Sequence, residues 1–214
     1  MKKINLKGII TAVILASLTL CLTGCGGEKE SPAKDFVTLE INGEVIISGY
    51  KSQIPDIIVP KKIKGKPVTI ISDGAFNGLK FVTSIKLHDG IKKIGTGSFS
   101  GCEQITSIAV PEGITEIGDN TFRDCEKLEN ITLPNSIEKI ETSMFESSAL
   151  TNIIIPKTVK EIDNYAFSNT NLESILIPSS VTRLGEECFS GCHNLKEIIL
   201  NNGLKIIDNG AFCD

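Results

Sequence analysis

Cysteine is the residue type in this chain best suited to chemistry, because a thiol can form a disulfide, bind a metal ion or act as a nucleophile. The 214 residues include seven cysteines and only two histidines. Cys102, Cys125 and Cys192 each follow a phenylalanine by three residues. If Cys102 and Cys125 lie on neighbouring strands about 5 Å apart, a disulfide between them is geometrically possible. The pattern favours the alternative, a small apolar position repeated along the chain.

Sequence motifs for catalysis or metal binding are missing. Cys188, Cys192 and His193 do not have the spacing of a zinc or haem site, and no carboxylate pattern surrounds His88 or His193. The only fragment of a nucleotide-binding loop is Gly95-Thr96-Gly97, and Ser100 stands where its third glycine belongs. We therefore predict no catalytic residues, no cofactor and no metal ion.

Cys25 stands in a different context, at the end of a secretory signal. Three lysines in the first seven residues precede the apolar stretch 9–22, which is shorter than the ~20 residues that a membrane-spanning helix needs. The sequence Leu22-Thr23-Gly24-Cys25 resembles the bacterial lipoprotein box, whose cysteine becomes the lipidated first residue of the mature protein. The alternatives are an ordinary signal peptide and an uncleaved anchor. The resemblance implies a signal peptide over residues 1–24, a lipid on Cys25 and a flexible tether over 25–35.

The charge of the chain bears on its partners. The formal net charge is −4, and removal of the segment with three lysines leaves −7, since −4 minus 3 is −7. A protein that binds nucleic acid or anionic lipid through one face needs a concentrated cationic surface. The overall balance therefore argues against both, and the membrane contact that we predict is through the lipid on Cys25 alone.

A fixed period of 22 or 23 residues organises the rest of the chain. Seven phenylalanines follow it: Phe76, Phe99, Phe122, Phe145, Phe167, Phe189 and Phe212. Between them the chain repeats a strand pattern, usually a proline, and then two apolar residues three apart. Such a period is typical of solenoids, in which each unit buries its apolar face against the next. We predict about six repeats stacked in a right-handed curved array, mainly β with short helical turns, over residues 61–214.

The residues before the repeats predict a cap. Alternating apolar residues from Phe36 to Ile41, the turn pair Asn42-Gly43 and the apolar run Val45 to Ile47 indicate a β-hairpin. Because an end repeat has no neighbour to cover it, we assign residues 36–60 to a hairpin that caps the core.

A second pattern alternates in charge. The residue before the second apolar position of each unit is Lys93, Glu116, Lys139, Glu161 or Arg183 in successive repeats. If the repeats stack in register, these side chains form a ladder of opposite charges. We expect Lys139 to lie between Glu116 and Glu161.

One column of residues is the predicted binding face. Between the two inward positions of each strand, one residue points outward, because side chains alternate along a strand. These residues are Lys86, Ala109, Thr132, Ile154, Leu176 and Ile199. The column becomes apolar toward the C-terminus, and a contiguous apolar patch indicates a contact surface. The alternative is that isoleucine is simply favoured in strands.

The repeating unit as a whole resembles the BspA-like class of leucine-rich repeats. The unit from Phe99 to Phe122, with Cys102, Pro111 and Gly118, shows the motif, and the resemblance extends over residues 36–214. His88 and Asn201 depart from it in the proline position, and the chain stops two residues after Phe212. The resemblance implies a lipid-anchored bacterial surface protein that binds a protein or glycan, with adhesion to host matrix or plasma proteins, or to neighbouring cells, as the favoured role. End-to-end self-association, an envelope scaffold with an endogenous partner, and the N-terminal part of a longer surface protein remain open.

Overall fold

A computed structural model describes residues 29–213 of the chain. They form a β-solenoid in which most turns contribute one short strand to a first face and another to a second face, and each turn contributes a segment with a phenylalanine to a third. Among the described residues, the buried apolar side chains lie between Phe36 and Ala211 and form one continuous core. The predicted leucine-rich-repeat solenoid is therefore confirmed, and the last turn is the least covered, with Ile206, Ile207 and Phe212 exposed.

The secondary structure consists of short elements. A 3₁₀ helix spans Ala33–Asp35. The first-face strands are β3 (Asp56–Ile58), β6 (Ser84–Lys86), β8 (Ser107–Ala109), β10 (Asn130–Thr132), β13 (Ser174–Ile177) and β15 (Glu197–Leu200). The second-face strands are β1 (Phe36–Ile41), β2 (Glu44–Tyr50), β5 (Lys66–Ile71), β7 (Lys93–Ile94), β9 (Glu116–Ile117), β11 (Lys139–Ile140), β12 (Glu161–Ile162), β14 (Arg183–Leu184) and β16 (Ile206–Ile207), and β4 (Lys62–Ile63) pairs with β5 alone.

Neighbouring turns pair in parallel and in register, but neither face is one continuous sheet. The second face consists of a ladder that ends at β9 and another that begins at β11. The first face consists of the pairs β3–β6, β8–β10 and β13–β15. Ile153 to Ile155, predicted as a strand, lie between β10 and β13 without being part of a ladder. The repeat therefore sets the stacking even where strand hydrogen bonds are interrupted.

The phenylalanines form the spine of the core. From Phe76 to Phe212, each ring stacks on the next with centroids 5.3 to 5.7 Å apart and planes within 15° of parallel. The stack continues at the N-terminal end through Tyr50 and Phe36, whose rings are tilted and 5.3 Å apart. Both residues belong to the β1–β2 hairpin, whose turn at Asn42 and Gly43 has φ of 53° and 80°. The predicted hairpin cap is thus present, and it covers the first ring of the stack.

The third face explains why the segments predicted as short helical turns do not continue into helices. Their hydrogen bonds have the spacing of a 3₁₀ turn, as in Ser98 N–H to Gly95 C=O (3.3 Å) and Cys102 N–H to Phe99 C=O (3.2 Å). In six successive turns, the residues two before and two after the phenylalanine both have positive φ. A residue in the left-handed conformation ends a right-handed helix. Here it also directs every second backbone N–H group toward a C=O group of the next turn of the solenoid. Phe99, for example, donates to Thr121 C=O at 3.0 Å.

Candidate functional site

The structure places the predicted binding face on the outside of the first face. Lys86, Ala109 and Thr132 are exposed, and Ile154, Leu176 and Ile199 are 61%, 40% and 37% exposed. Ala109 is the register partner of Thr132, and Leu176 is the partner of Ile199. We name these six residues the outward column. Ligand binding by the outward column stays a prediction. The C-terminal half of the column, Ile154, Leu176 and Ile199, is an exposed aliphatic strip.

Buried residues on either side of the strip fix the direction of its side chains. In β13, Ile175 and Ile177 on either side of Leu176 are buried, so the strand can turn only one side chain outward. In β15 the pattern loosens: Ile198 is half-buried, and Leu200, predicted to point inward, is exposed. Leu200 pairs with Ile177 on one side and has no further turn over it among the described residues. Exposed apolar surface therefore extends from Ile199 onto Leu200.

The charge ladder forms in part. Lys93 is the register partner of Glu116, and Glu161 pairs with both Lys139 and Arg183. Ion pairs join Lys93 to Glu116 at 2.6 Å and Arg183 to Glu161. Lys139 is the register partner of Glu161 and lies in the turn after that of Glu116, as expected, but no strand ladder joins β9 to β11 and Lys139 forms no ion pair with either glutamate. The Lys139 ammonium instead contacts Asp163 Oδ2 at 2.6 Å and Glu141 Oε2 at 3.3 Å.

Asp163 is the centre of a network that sequence reasoning missed. Its carboxylate accepts hydrogen bonds from Thr142 Oγ1 (3.0 Å) and the Asn164 N–H (2.8 Å), and it contacts Arg183 Nη1 at 3.4 Å. Burial alone raises the pKa of Asp163, but the hydrogen bond from Lys139 and those from Asn164 and Thr142 hold it below its usual range. Burial raises the pKa of the neighbouring Glu141.

A sequence signal for this network exists. Asp163 occupies the position that Gly95, Gly118 and Gly185 hold in other turns. A Cβ at Gly118 would lie 2.4 Å from the Thr96 nitrogen, so close contact with the preceding turn explains the glycines. A carboxylate in a glycine column therefore indicates a local departure from the repeat.

The cysteines are structural. Cys102, Cys125, Cys188 and Cys192 are buried, and Cys213 is exposed; all five are free thiols. The first two donate to the C=O groups of Phe76 and Phe99 on the preceding turn, each at 3.2 Å, and Cys192 lies 3.1 Å from Phe167 C=O. Burial raises the pKa of Cys102 and of Cys188 to about 12. Each of the four buried sulfurs thus fills a small core position and lies against a carbonyl oxygen, and the disulfide alternative is not observed.

Two shallow depressions lie elsewhere on the surface. One, of about 370 Å³, is lined by residues that include Glu30, Lys61, Lys86 and His88. His88 Nδ1 accepts a hydrogen bond from the Gly90 N–H at 3.1 Å, and burial lowers the pKa of this imidazole. The other, of about 320 Å³, surrounds Arg183 and Asp208. Within residues 29–213 there is no group of three or more potential ligands that could hold a metal ion.

The predictions near the N-terminus fall partly outside the described residues. Cys25 and the signal peptide over 1–24 lie there. Of the tether predicted for 25–35, the described residues contact the solenoid: Ser31 is buried and exchanges two hydrogen bonds of 2.9 Å with Ile58. In the described part of the chain, no helix has the length and apolar character needed to span a membrane.

Fold and repeat together define the class: a leucine-rich-repeat β-solenoid with a hairpin cap. The family model described as BspA type leucine-rich repeat region, with six copies, matches residues 50–173 and 160–214. The chain therefore belongs to the BspA-type leucine-rich-repeat family. No curated protein matches it.

Two solved structures have a similar fold. The crystal structure of a T. pallidum leucine-rich-repeat protein is 30% identical, with a TM-score of 0.76, over 84% of this chain and 86% of that one. A leucine-rich cell surface protein from Faecalibacterium prausnitzii is 23% identical, with a TM-score of 0.68, over 83% of this chain. The match covers only 56% of the F. prausnitzii protein, and it shows the shared fold.

Proposed function

We propose that this protein is a lipid-anchored, extracytoplasmic binding protein that presents the outward column to a protein or glycan ligand, with adhesion as its biological role. The lipoprotein-like sequence ending at Cys25 supports the anchor. The name of the F. prausnitzii structure, a cell surface protein, supports the location. In leucine-rich-repeat solenoids, the stacked units create an extended surface suited to binding macromolecules.

The observation that carries the binding proposal is the exposure of Ile154. Strand propensity explains an outward isoleucine only where the residue is part of a strand. Ile154 is not in a hydrogen-bonded strand, yet it is 61% exposed, the highest fraction among the exposed large apolar residues of the described chain. Ile154 extends the exposed aliphatic strip of Leu176 and Ile199 by one turn, and a contiguous strip, unlike a single exposed residue, indicates contact with a partner.

The test replaces the apolar half of the outward column. The triple variant Ile154→Ser, Leu176→Ser and Ile199→Ser should lose capture of its ligand from host or own-cell extracts while its circular dichroism spectrum is unchanged. The matched control Thr158→Ala, Ser174→Ala and Glu197→Ala changes three exposed residues outside the column and should retain capture. If the column variant keeps every interaction of the native protein, the outward column is not the binding face.

The anchor is tested separately. Cys25→Ala should leave the precursor without lipid and poorly processed, since only this cysteine follows the lipoprotein-like sequence. Metabolic labelling with a fatty acid measures the modification, and a labelled variant would show that the assignment is wrong. Protease added to intact cells distinguishes the adhesin from an envelope scaffold with an endogenous partner. An adhesin must be exposed at the cell surface and should therefore be cleaved.

A further inference from the structure

The charges of the described chain are separated along the solenoid. Residues 29–93 contain eleven lysines and seven Asp or Glu, a net charge of +4. Residues 94–213 contain eight Lys or Arg and seventeen Asp or Glu, a net charge of −9. The negative net charge of the chain, which indicated no membrane-binding surface, is therefore the sum of a basic N-terminal end and a strongly acidic remainder. A local surface, not the total, decides what binds.

The lysines at the basic end converge on one hairpin. Strands β4 and β5 are joined by Lys64 and Gly65, whose φ angles of 51° and 81° are those of a tight hairpin turn. Lys61, Lys62 and Lys64 are exposed, and none of the three forms an ion pair with another described residue. Ile63 between them is buried and fixes the hairpin to the core. We name Lys61, Lys62 and Lys64 the basic hairpin.

An exposed aliphatic strand edge lies at the same end of the solenoid as the basic hairpin. Strand β1 is the terminal strand of its sheet, and Val37, Leu39 and Ile41 are exposed at alternate positions along it. The Lys66 ammonium, directly after the hairpin turn, contacts the Glu40 carboxylate of β1, although β2 lies between β1 and β5 in the sheet. Because side chains alternate along a strand, Glu40 lies on the face of β1 opposite to Leu39 and Ile41, and this ion pair does not bring the lysines to the aliphatic face.

The path of the chain toward Cys25 identifies the occupant. Glu30 Oε1 accepts a hydrogen bond from the Lys61 N–H at 3.0 Å, and Ser31 is bonded to Ile58. The chain therefore leaves the solenoid beside the basic hairpin. Ser31 lies six positions after Cys25, and a fully extended chain of that length spans at most about 20 Å. A lipid on Cys25 would hold the basic hairpin close to the bilayer.

We propose that the basic hairpin binds the anionic headgroups of the membrane in which Cys25 is anchored. The orientation that this contact gives the molecule rests on the lipid anchor of the proposed function. A basic patch beside a lipid anchor adds electrostatic attraction to anionic headgroups. With the basic end on the membrane, repulsion directs the acidic residues 94–213 away from an anionic surface.

The test uses the chain from residue 26, which has no lipid but contains the complete core. Binding is measured by flotation with vesicles of phosphatidylcholine alone or mixed equally with phosphatidylglycerol. We expect binding to the anionic vesicles only, weakened by salt because exposed charges are screened. Each lysine near the membrane surface raises the partition coefficient about fivefold. The variant Lys61→Glu, Lys62→Glu, Lys64→Glu should therefore lower the partition coefficient about 100-fold or more.

The matched control, Lys157→Glu, Lys196→Glu, Lys205→Glu, makes the same charge change on exposed lysines of the acidic part and should change binding less than twofold. Because the chain is unlipidated and the outward column is intact, neither a failed lipid assignment nor a failed ligand assignment changes the result. The proposal is overturned if native protein does not bind anionic vesicles at low salt, if it binds neutral vesicles equally, or if both triple variants lose binding to the same degree.

Discussion

Removal of one central ring tests the idea that stacked phenylalanines hold the solenoid together. Phe145 is fully buried and stacks on Phe122 at 5.7 Å and on Phe167 at 5.3 Å. Replacing a buried Phe by Ala destabilises a protein by ~3–5 kcal/mol, which includes the lost contacts with its neighbours. We expect Phe145→Ala to lie at the upper end, because each ring contact contributes about 0.5–1.5 kcal/mol beyond simple burial.

Phe212 provides the matched comparison. Its ring is 40% exposed and stacks on one described neighbour, Phe189, at 5.5 Å. With part of its surface already in water and one ring contact instead of two, Phe212→Ala should cost only about 1–2 kcal/mol. Urea unfolding at a fixed temperature, followed by circular dichroism, gives both values from the midpoint and slope. Equal losses of stability for the two variants would refute a core in which each turn depends on both neighbours.

The charge network and the thiols lead to three further predictions. Lys139→Glu places a third carboxylate beside those of Glu141 and Asp163 and should lower the free energy of unfolding by ~0.5–2 kcal/mol. Lys157→Glu should change it by less than about 0.5 kcal/mol, and similar melting shifts for both variants would contradict the network. The pKa of Asp163 is lowered in the folded state, so its contribution is complete above the unfolded pKa of about 4 and is lost as pH falls through the folded value. The melting difference between native protein and Asp163→Asn should accordingly disappear in acid, and a difference independent of pH would exclude this origin. In the chain from residue 26, Ellman's reagent should label Cys213 at once and the four buried thiols only on unfolding; rapid labelling of Cys102, whose pKa burial raises to about 12, would contradict its burial.

Much of this fold follows from the sequence because one position per turn is invariant. The 22- or 23-residue period fixes which residues stack, and alternation within each strand fixes which of them point inward. The same reasoning correctly placed the outward column on the surface, from Lys86 to Ile199. It also assigned the cysteine position to the core, since Cys102, Cys125 and Cys192 share a repeated apolar position with Leu79.

The features that sequence reasoning missed are those in which backbone conformation does not follow residue type. Left-handed positions hold Gly97 and Gly101 in one turn but Ser143 and Ser147, or Tyr165 and Asn169, in others. Eight of the twelve positions in the six turns hold Gly, Asn or Asp, which favour positive φ, but Ser143, Ser147, Tyr165 and Glu187 do not, and there stacking on the next turn imposes the conformation. The interruption between β9 and β11 is likewise a tertiary effect, and it is the reason why Lys139 pairs with Asp163 instead of Glu116.

The two proposed surfaces lie at different heights along the solenoid, and this separation has a functional consequence. Ile58, next to the chain that leads to Cys25, is the register partner of Lys86, the first residue of the outward column. Ile154 is four turns and Ile199 six turns from Ile58, which at the spacing of neighbouring strands is about 19 to 29 Å. With the basic hairpin on the membrane, Lys86, Ala109 and Thr132 lie nearer the headgroups, and the aliphatic half of the outward column lies farther from them. Large aliphatic residues of the column placed nearer the membrane would be available to lipid as well as to a ligand. The position of Ile154, Leu176 and Ile199 in the far turns therefore favours a ligand that approaches from outside the membrane.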